Sequence, residues 1–282
     1  MISVLILTKN EQQDLPGCLA SVAWSDDVQV LDSLSSDQTR HIAEAAGATV
    51  TERPFDDYSR QRNFGLHELR YRNPWLLILD ADERVPPALG AEMVRAVATA
   101  PAEVVGYRIR RRDFFLGRWL KHVQASPFYI RLVRPQGVEY TPRIVNEVLV
   151  PRGDGQIRDL LEPFDHHPFS KGLDHWYAKH NTYSRMEAEQ IQADRANGVR
   201  FSVLKAFTER DFNRRRWHQK ELFYRLPLRP TIKFLILYVL KRGFLDGRPG
   251  LLYAQMQACY ERMIVTKQAE LAWKARNPGA ST

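Results

Sequence analysis

Apolar residues in the first third of the chain come in short unbroken runs, separated by stretches of helical period. Residues 2–7, 28–31 and 75–79 are too apolar to alternate between a core face and a wet face, which predicts strands covered on both sides. Residues 49–51 predict a shorter strand. Between the first two runs, Pro16 opens a stretch that puts Leu19 and Val22 on one face. After the second run, Ser36 or Asp37 is placed to cap a helix in which Ile42, Ala45 and Ala46 share a face, and Gly47 stops it. Residues 60–69 predict another helix. Such alternation is the pattern of an α/β domain built on a parallel sheet.

The apolar run at 75–79 ends in Asp80-Ala81-Asp82, two carboxylates one residue apart at the carboxyl edge of the expected sheet. Open α/β folds bind ligands along that edge. Mg²⁺ or Mn²⁺, held by one or two carboxylates and completed by phosphate and water, suits such a pair. A turn or N-cap pair at a strand-to-helix junction is the plainer reading of Asp-x-Asp alone. The other strand ends, Thr8 to Glu11 and Asp32, carry polar groups that converge with it on one crevice.

Four ordered segments resemble family 2 glycosyltransferases. They are the strand running into Thr8-Lys9-Asn10-Glu11, Asp32 through Asp37, Arg60-Gln61-Arg62-Asn63, and Leu79 through Arg84. Gly106 through Trp119 and Asp165 through Gly172 are similar to the branch that builds lipopolysaccharide core and exopolysaccharide in bacteria. The resemblance covers about residues 1–190. It implies a GT-A fold (a Rossmann-like, mostly parallel sheet flanked by helices) and inverting transfer of a sugar, a UDP-sugar being the expected donor. The acceptor it implies is a lipid-linked glycan or one of lipopolysaccharide or exopolysaccharide. Carried over by position, Thr8, Asn10, Glu11, Asp32, Arg62, Asn63 and Asp80 line the nucleotide-sugar site. Asp82 binds the metal with Asp80 beside it, and His166 completes the shell, an acceptor-contacting or structural His being the alternative. Two positions depart from the family pattern. Leu34 stands where Gly is usual, so the side chain narrows the pocket or the turn differs. Val145-Asn146-Glu147 stands where His-Glu is common, with the Glu retained.

An acceptor hydroxyl needs a group to take its proton. Glu147 is the expected base and Asp113 the alternative, weakened by Arg110, Arg111 and Arg112 beside it. Arg131, inside an apolar strand, is expected to hold a phosphate or sugar or to form a salt bridge, and Asp113 is a further acceptor-contact candidate. His175 and His180 fall on an amphipathic stretch with Trp176, Tyr177 and Tyr183.

The expected organisation is a nucleotide-sugar half over 1–100, an acceptor half over 101–195 and a basic amphipathic helical tail over 196–282. Residues 200–282 hold 17 Lys and Arg against 6 Asp and Glu, a net of +11, which leaves 1–199 near −3 of the whole-chain +8. The run at 231–240 is about half a bilayer span in length and contains Lys233, and Leu252, Met256, Cys259 and Met263 recur at helical spacing. Basic, aromatic and apolar features together predict helices lying on an anionic inner-membrane surface, with a helical pair packed on the catalytic domain as the alternative. Nucleic-acid binding lacks a recognisable motif, and a sugar nucleotidyltransferase would show a glycine-rich phosphate loop that Thr8 to Glu11 lacks. Two cysteines, Cys18 and Cys259, and no signal peptide predict an intracellular enzyme; with the basic tail, the family resemblance implies the cytoplasmic face of a bacterial inner membrane.

Overall fold

The computed structural model describes residues 1–124, 127–141, 148–196, 198, 201–210 and 212–277. The chain forms two compact units, Met1–Trp119 with Ser126–Ser170, and Leu120–Ala125 with Lys171–Thr282.

The first unit begins with alternating strands and helices: β1 (Ile2–Thr8), α1 (Leu15–Ser21), β2 (Val28–Asp32), α2 (Thr39–Ala45), β3 (Thr49–Glu52), α3 (Tyr58–His67) and β4 (Trp75–Asp80). These four strands are parallel in the order β3-β2-β1-β4. The short β5 (Glu83–Arg84) and α4 (Pro87–Ala98) follow. Then come β6 (Val104–Phe115), β7 (Arg118–Trp119), β8 (Phe128–Val133), β9 (Val138–Tyr140), β10 (Leu149–Pro151), β11 (Gln156–Asp159) and β12 (Phe164–His166). Beyond β4 the sheet continues β8-β6-β12-β5 with mixed direction, and β9 pairs with β10 as a separate ribbon. This mostly parallel sheet flanked by helices is the GT-A-like α/β architecture the sequence led us to expect.

Period-two alternation divides the core between the two sheet faces. Ile2, Val4 and Ile6 pack with Leu15, Cys18 and Leu19 of α1, Ala43 of α2, and Leu89 and Met93 of α4. Leu5, Leu31, Leu76 and Ile78 face the other way, onto Leu66 of α3. Strands covered on both faces have no polar alternation, which is why the runs read as continuous apolar sequence. Gly47 stops α2 in the left-handed region (φ 78°); at the other end Gln38, not Ser36 or Asp37, is the N-cap and makes no side-chain cap, while Asp37 just before it accepts from the Thr39 amide at 3.0 Å.

The second unit is helical: α5 (Gly172–Ala196), α6 (Lys205–Thr208), α7 (Phe212–Phe223), α8 (Arg229–Leu235), a π-helical turn at Ile236–Leu240 and α9 (Gly247–Arg276). Ala188, Ile191, Tyr224 and Ile264 form its small core, and Arg229 is buried against Glu261 at 2.7 Å. Of the spacing seen in the tail, Met256 is buried while Cys259 is exposed, because α9 turns Ala254, Glu261 and Ile264 inward instead. Among the described residues no helix is long and apolar enough to cross a membrane.

Candidate active site

Register brings the strand ends together. Thr8 lies opposite Asp32 across β1 and β2, and Leu7 lies opposite Asp80 across β1 and β4. The chain runs outward from β1 to β2 and β3, then returns to place β4 on the other side of β1. The boundary between β1 and β4 is therefore the switch point where such sheets open a crevice at their carboxyl ends.

One wall is a laced pair of loops. Asp32 is fully buried and accepts from the Thr8 hydroxyl at 2.6 Å, the Ser35 amide at 2.7 Å and the Ser35 hydroxyl at 2.6 Å. Asn10, left-handed at φ 55°, accepts from the Ser36 amide through Oδ1, while its own amide donates to Ser35 Oγ. The Glu11 amide donates to Thr39 Oγ1, and Lys9 Nζ reaches the carbonyls of Ser33 and Leu34. Leu34 takes φ 61° with its side chain exposed. The glycine-type turn is thus kept with leucine in it, at a conformational cost of about 1–2 kcal/mol.

The opposite wall is a charge cluster at the end of β4. Asp80 accepts from Arg62 at 2.8 Å on one oxygen and from Arg131 at 2.9 Å on the other. Arg131 also binds Glu83 at 2.5 Å, and Glu83 in turn accepts from the Asp80 amide at 2.9 Å. Burial works against ionisation of Asp80, but the two guanidiniums outweigh it and hold the carboxyl well below the usual carboxylate range. At Glu83 burial outweighs Arg131 and pushes the carboxyl up to about 7. Glu83 is a site residue that sequence reasoning missed, although an Arg inside the apolar strand Tyr129-Ile130-Arg131-Leu132 signals the need for a buried acid.

His166 joins this cluster through sheet register. β12 runs between β6 and β5, setting His166 opposite Asp113 on one side and Glu83 on the other. Its Nδ1 lies 2.5 Å from Asp113 Oδ1, and its Nε2 lies 3.2 Å from Asp82 Oδ2. Burial opposes the imidazolium, but hydrogen bonds to Asp113 and Asp82 carry its pKa up to about 9. Arg111 Nε closes the back of the group, 2.9 Å from Asp113.

The structure therefore brings Thr8, Asn10, Glu11 and Asp32 together on one wall and Arg62, Asp80, Asp82 and His166 on the other. Three further candidates, Asn63, Arg131 and Asp113, are held by protein partners. Asn63 clamps the β9 backbone, donating to the Tyr140 carbonyl at 2.9 Å and accepting from its amide at 2.8 Å. Arg131 is 6% exposed and Asp113 2%, and their polar groups meet Asp80 and Glu83 in one case, His166 and Arg111 in the other. Glu147 lies outside the described residues.

Among the described residues no cluster of three or more His, Cys, Asp or Glu forms a ready ligand set. Asp82 and His166 form a pair. With Asp113 fixing Nδ1, the His166 ring presents Nε2 toward Asp82, the carboxylate–His arrangement that supports a metal ligand. Asp80 is less available, since each of its oxygens is already held by an arginine.

Comparison with known proteins identifies relatives of the chain. The chain is 28% identical over 280 residues to the lipopolysaccharide core biosynthesis glycosyltransferase LpsC of Rhizobium meliloti, covering 93% of this chain and 92% of that one. It is 27% identical over 291 residues to an uncharacterised glycosyltransferase of Rickettsia typhi, covering 99% and 90%. Among solved structures, glucosyl-3-phosphoglycerate synthase of Mycobacterium tuberculosis, in complex with Mn²⁺, UDP-glucose and phosphoglyceric acid, aligns at 22% identity with a TM-score of 0.32. That alignment covers 42% of this chain and 44% of the synthase, less than half its length. The family description "Glycosyl transferase family 2" matches residues 3–150, over half of the chain, including the four parallel strands and the turn after β4. By that match the chain belongs to glycosyl transferase family 2.

Proposed function

We propose that this glycosyltransferase moves a sugar from a UDP-sugar to a lipid-linked glycan of the lipopolysaccharide or exopolysaccharide type, with inversion and with a divalent cation, Mg²⁺ or Mn²⁺. The observation that carries the reading is the Asp82–His166 pair just past the end of β4, the strand that pairs with β1, whose own end holds Thr8 against Asp32. A small hard cation suits a site of two protein ligands whose remaining positions go to diphosphate oxygens and water.

Bound there, such a cation would neutralise charge as it develops on the departing diphosphate. The chain's own residues do the rest. Asp113 holds the His166 ring, and Arg62 and Arg131 fix Asp80, which in turn sets the direction of the Asp82 turn. The buried Asp32 and the laced loops give the nucleoside a rigid wall. The acceptor oxygen forms its bond to the anomeric carbon as the bond to diphosphate breaks, and its proton passes to Glu147 as the proposed base. The likeness to LpsC supports a lipopolysaccharide core acceptor. The basic, apolar-faced tail supports work at the cytoplasmic face of an inner membrane.

The test is product chemistry. The purified chain, given UDP-sugars, Mn²⁺ and lipopolysaccharide core acceptor, should release nucleoside diphosphate. Asp82→Ala should lower that rate by about a hundredfold or more with the fold intact by circular dichroism. Glu147→Gln should lower turnover more than donor binding. Release of pyrophosphate would instead indicate a nucleotidyltransferase and end the proposal.

A further inference from the structure

The segment 235–248 joins α8 to α9 and exposes large apolar side chains in close succession. Leu235 is 47% exposed, Val239 50%, Leu240 74%, Phe244 48% and Leu245 47%. Lys241, Arg242 and Arg248 are exposed among them. From residue 222 to 260 the sequence holds six Lys and Arg and a single acid, Asp246.

That acid is turned away from solvent. Asp246 is 2% exposed and accepts from the amides of His122 at 2.9 Å and Val123 at 2.8 Å, with His122 Nδ1 at 2.7 Å. The backbone around it is tightly packed. A Cβ on Gly243 would lie 2.6 Å from the Leu237 carbonyl, and one on Gly250 would lie 2.1 Å from the Gly243 carbonyl. Arg242 is held in the left-handed region at φ 58°. The fold thus fixes a turn whose apolar groups point outward, with cations between them and its one carboxylate removed from the surface. Clustered exposed apolar groups of this kind mark an interaction surface. An anionic bilayer satisfies both halves of the pattern, acyl chains taking the leucines and phenylalanine and headgroups taking the cations.

We propose that the 235–248 turn is the element by which this protein seats on an anionic membrane surface. The proposal rests on the peripheral-membrane reading above and narrows it to one element. The full chain should cosediment with phosphatidylcholine vesicles containing about a third phosphatidylglycerol, and less so as salt rises. Leu240→Glu combined with Phe244→Glu should weaken that partitioning at least about tenfold while leaving the melting temperature near wild type, because both side chains are already exposed. Lys241→Gln with Arg242→Gln should reduce binding to anionic vesicles and leave binding to neutral ones unchanged.

Equal vesicle binding by the double Glu variant overturns the proposal and leaves membrane association to other basic helices. Absence of vesicle binding by wild type, together with a concentration-dependent dimer that the same variant abolishes, also overturns it and makes a second copy the occupant. Nucleoside diphosphate release with a water-soluble core oligosaccharide, measured on the same preparations, separates the two readings. Transfer without vesicle binding sinks the turn alone, and vesicle binding without transfer sinks the glycosyltransferase chemistry alone.

Discussion

Leu34 and His166 show how single side chains shape this site. Leu34 occupies a left-handed turn between Asp32 and Ser35, a conformation glycine adopts without strain. Relief of that strain and the greater freedom of unfolded glycine nearly offset each other, so Leu34→Gly should leave stability within about 1 kcal/mol of wild type. Leu34→Val should cost about 1 kcal/mol or more, since a β-branched residue tolerates positive φ worst. Urea denaturation midpoints check both, and a valine variant as stable as the glycine one would contradict the turn. The sequence flagged this position by type but not its outcome, because whether a strained turn or a new one wins depends on the lacing of the two loops around it.

His166 carries a pH consequence. Its folded pKa is raised to about 9 from an ordinary value near 6.5, so the folded state holds the proton more tightly. Its stabilisation is therefore complete below about pH 6.5 and lost as pH rises through 9, a decline of about 1–3 kcal/mol. In EDTA, wild type should lose melting temperature between pH 7 and 9.5, and His166→Gln should lose less. Parallel curves for the two proteins would place the proton elsewhere. The residue was legible as a candidate ligand. Its partner Asp113 was read as the alternative base and an acceptor contact, and its contact with His166 was not foreseen, because nothing in sequence shows that β12 inserts beside β6 and makes the two neighbours.

At the level of elements, the parallel strands were legible because burial on both faces writes itself as unbroken apolar sequence. The short β5 and β12 were not, since strands of two and three residues have too few positions to show a period. They nevertheless align His166 between Asp113 and Glu83. Helix α3 is the element whose role changed most. Read as carrying nucleotide contacts through Arg62 and Asn63, it also uses Asn63 to clamp Tyr140 and Gly65 to approach the sheet. A Cβ at Gly65 would lie 2.6 Å from Leu5 Cδ2, so Gly65→Ala should destabilise by about 1–3 kcal/mol through overpacking. Asn63→Ala should cost a similar amount by leaving two backbone groups of Tyr140 unpaired. Amide exchange at Tyr140 should accelerate in the second variant. Unchanged exchange with a raised donor KM would return Asn63 to the nucleotide.

Across the whole molecule, charge separates the parts. The tail is strongly basic while residues 1–199 are slightly acidic, a division visible in sequence alone. What sequence did not show is which apolar residues the tail buries: the helices bury Met256 and Ile264 and leave Leu240 outside, a choice made by packing among α5, α7, α8 and α9. The family match and the sheet order account for the fold. The central chemical claim is that Asp82 and His166 hold a divalent cation against a nucleoside diphosphate at the β1–β4 switch point. Calorimetric titration of UDP into the full chain, with and without Mn²⁺, tests it most directly. The account predicts binding that strengthens at least about tenfold with Mn²⁺ and loses that gain in both Asp82→Ala and His166→Gln. UDP binding of equal strength with and without Mn²⁺, or a gain unchanged in the two variants, would contradict it.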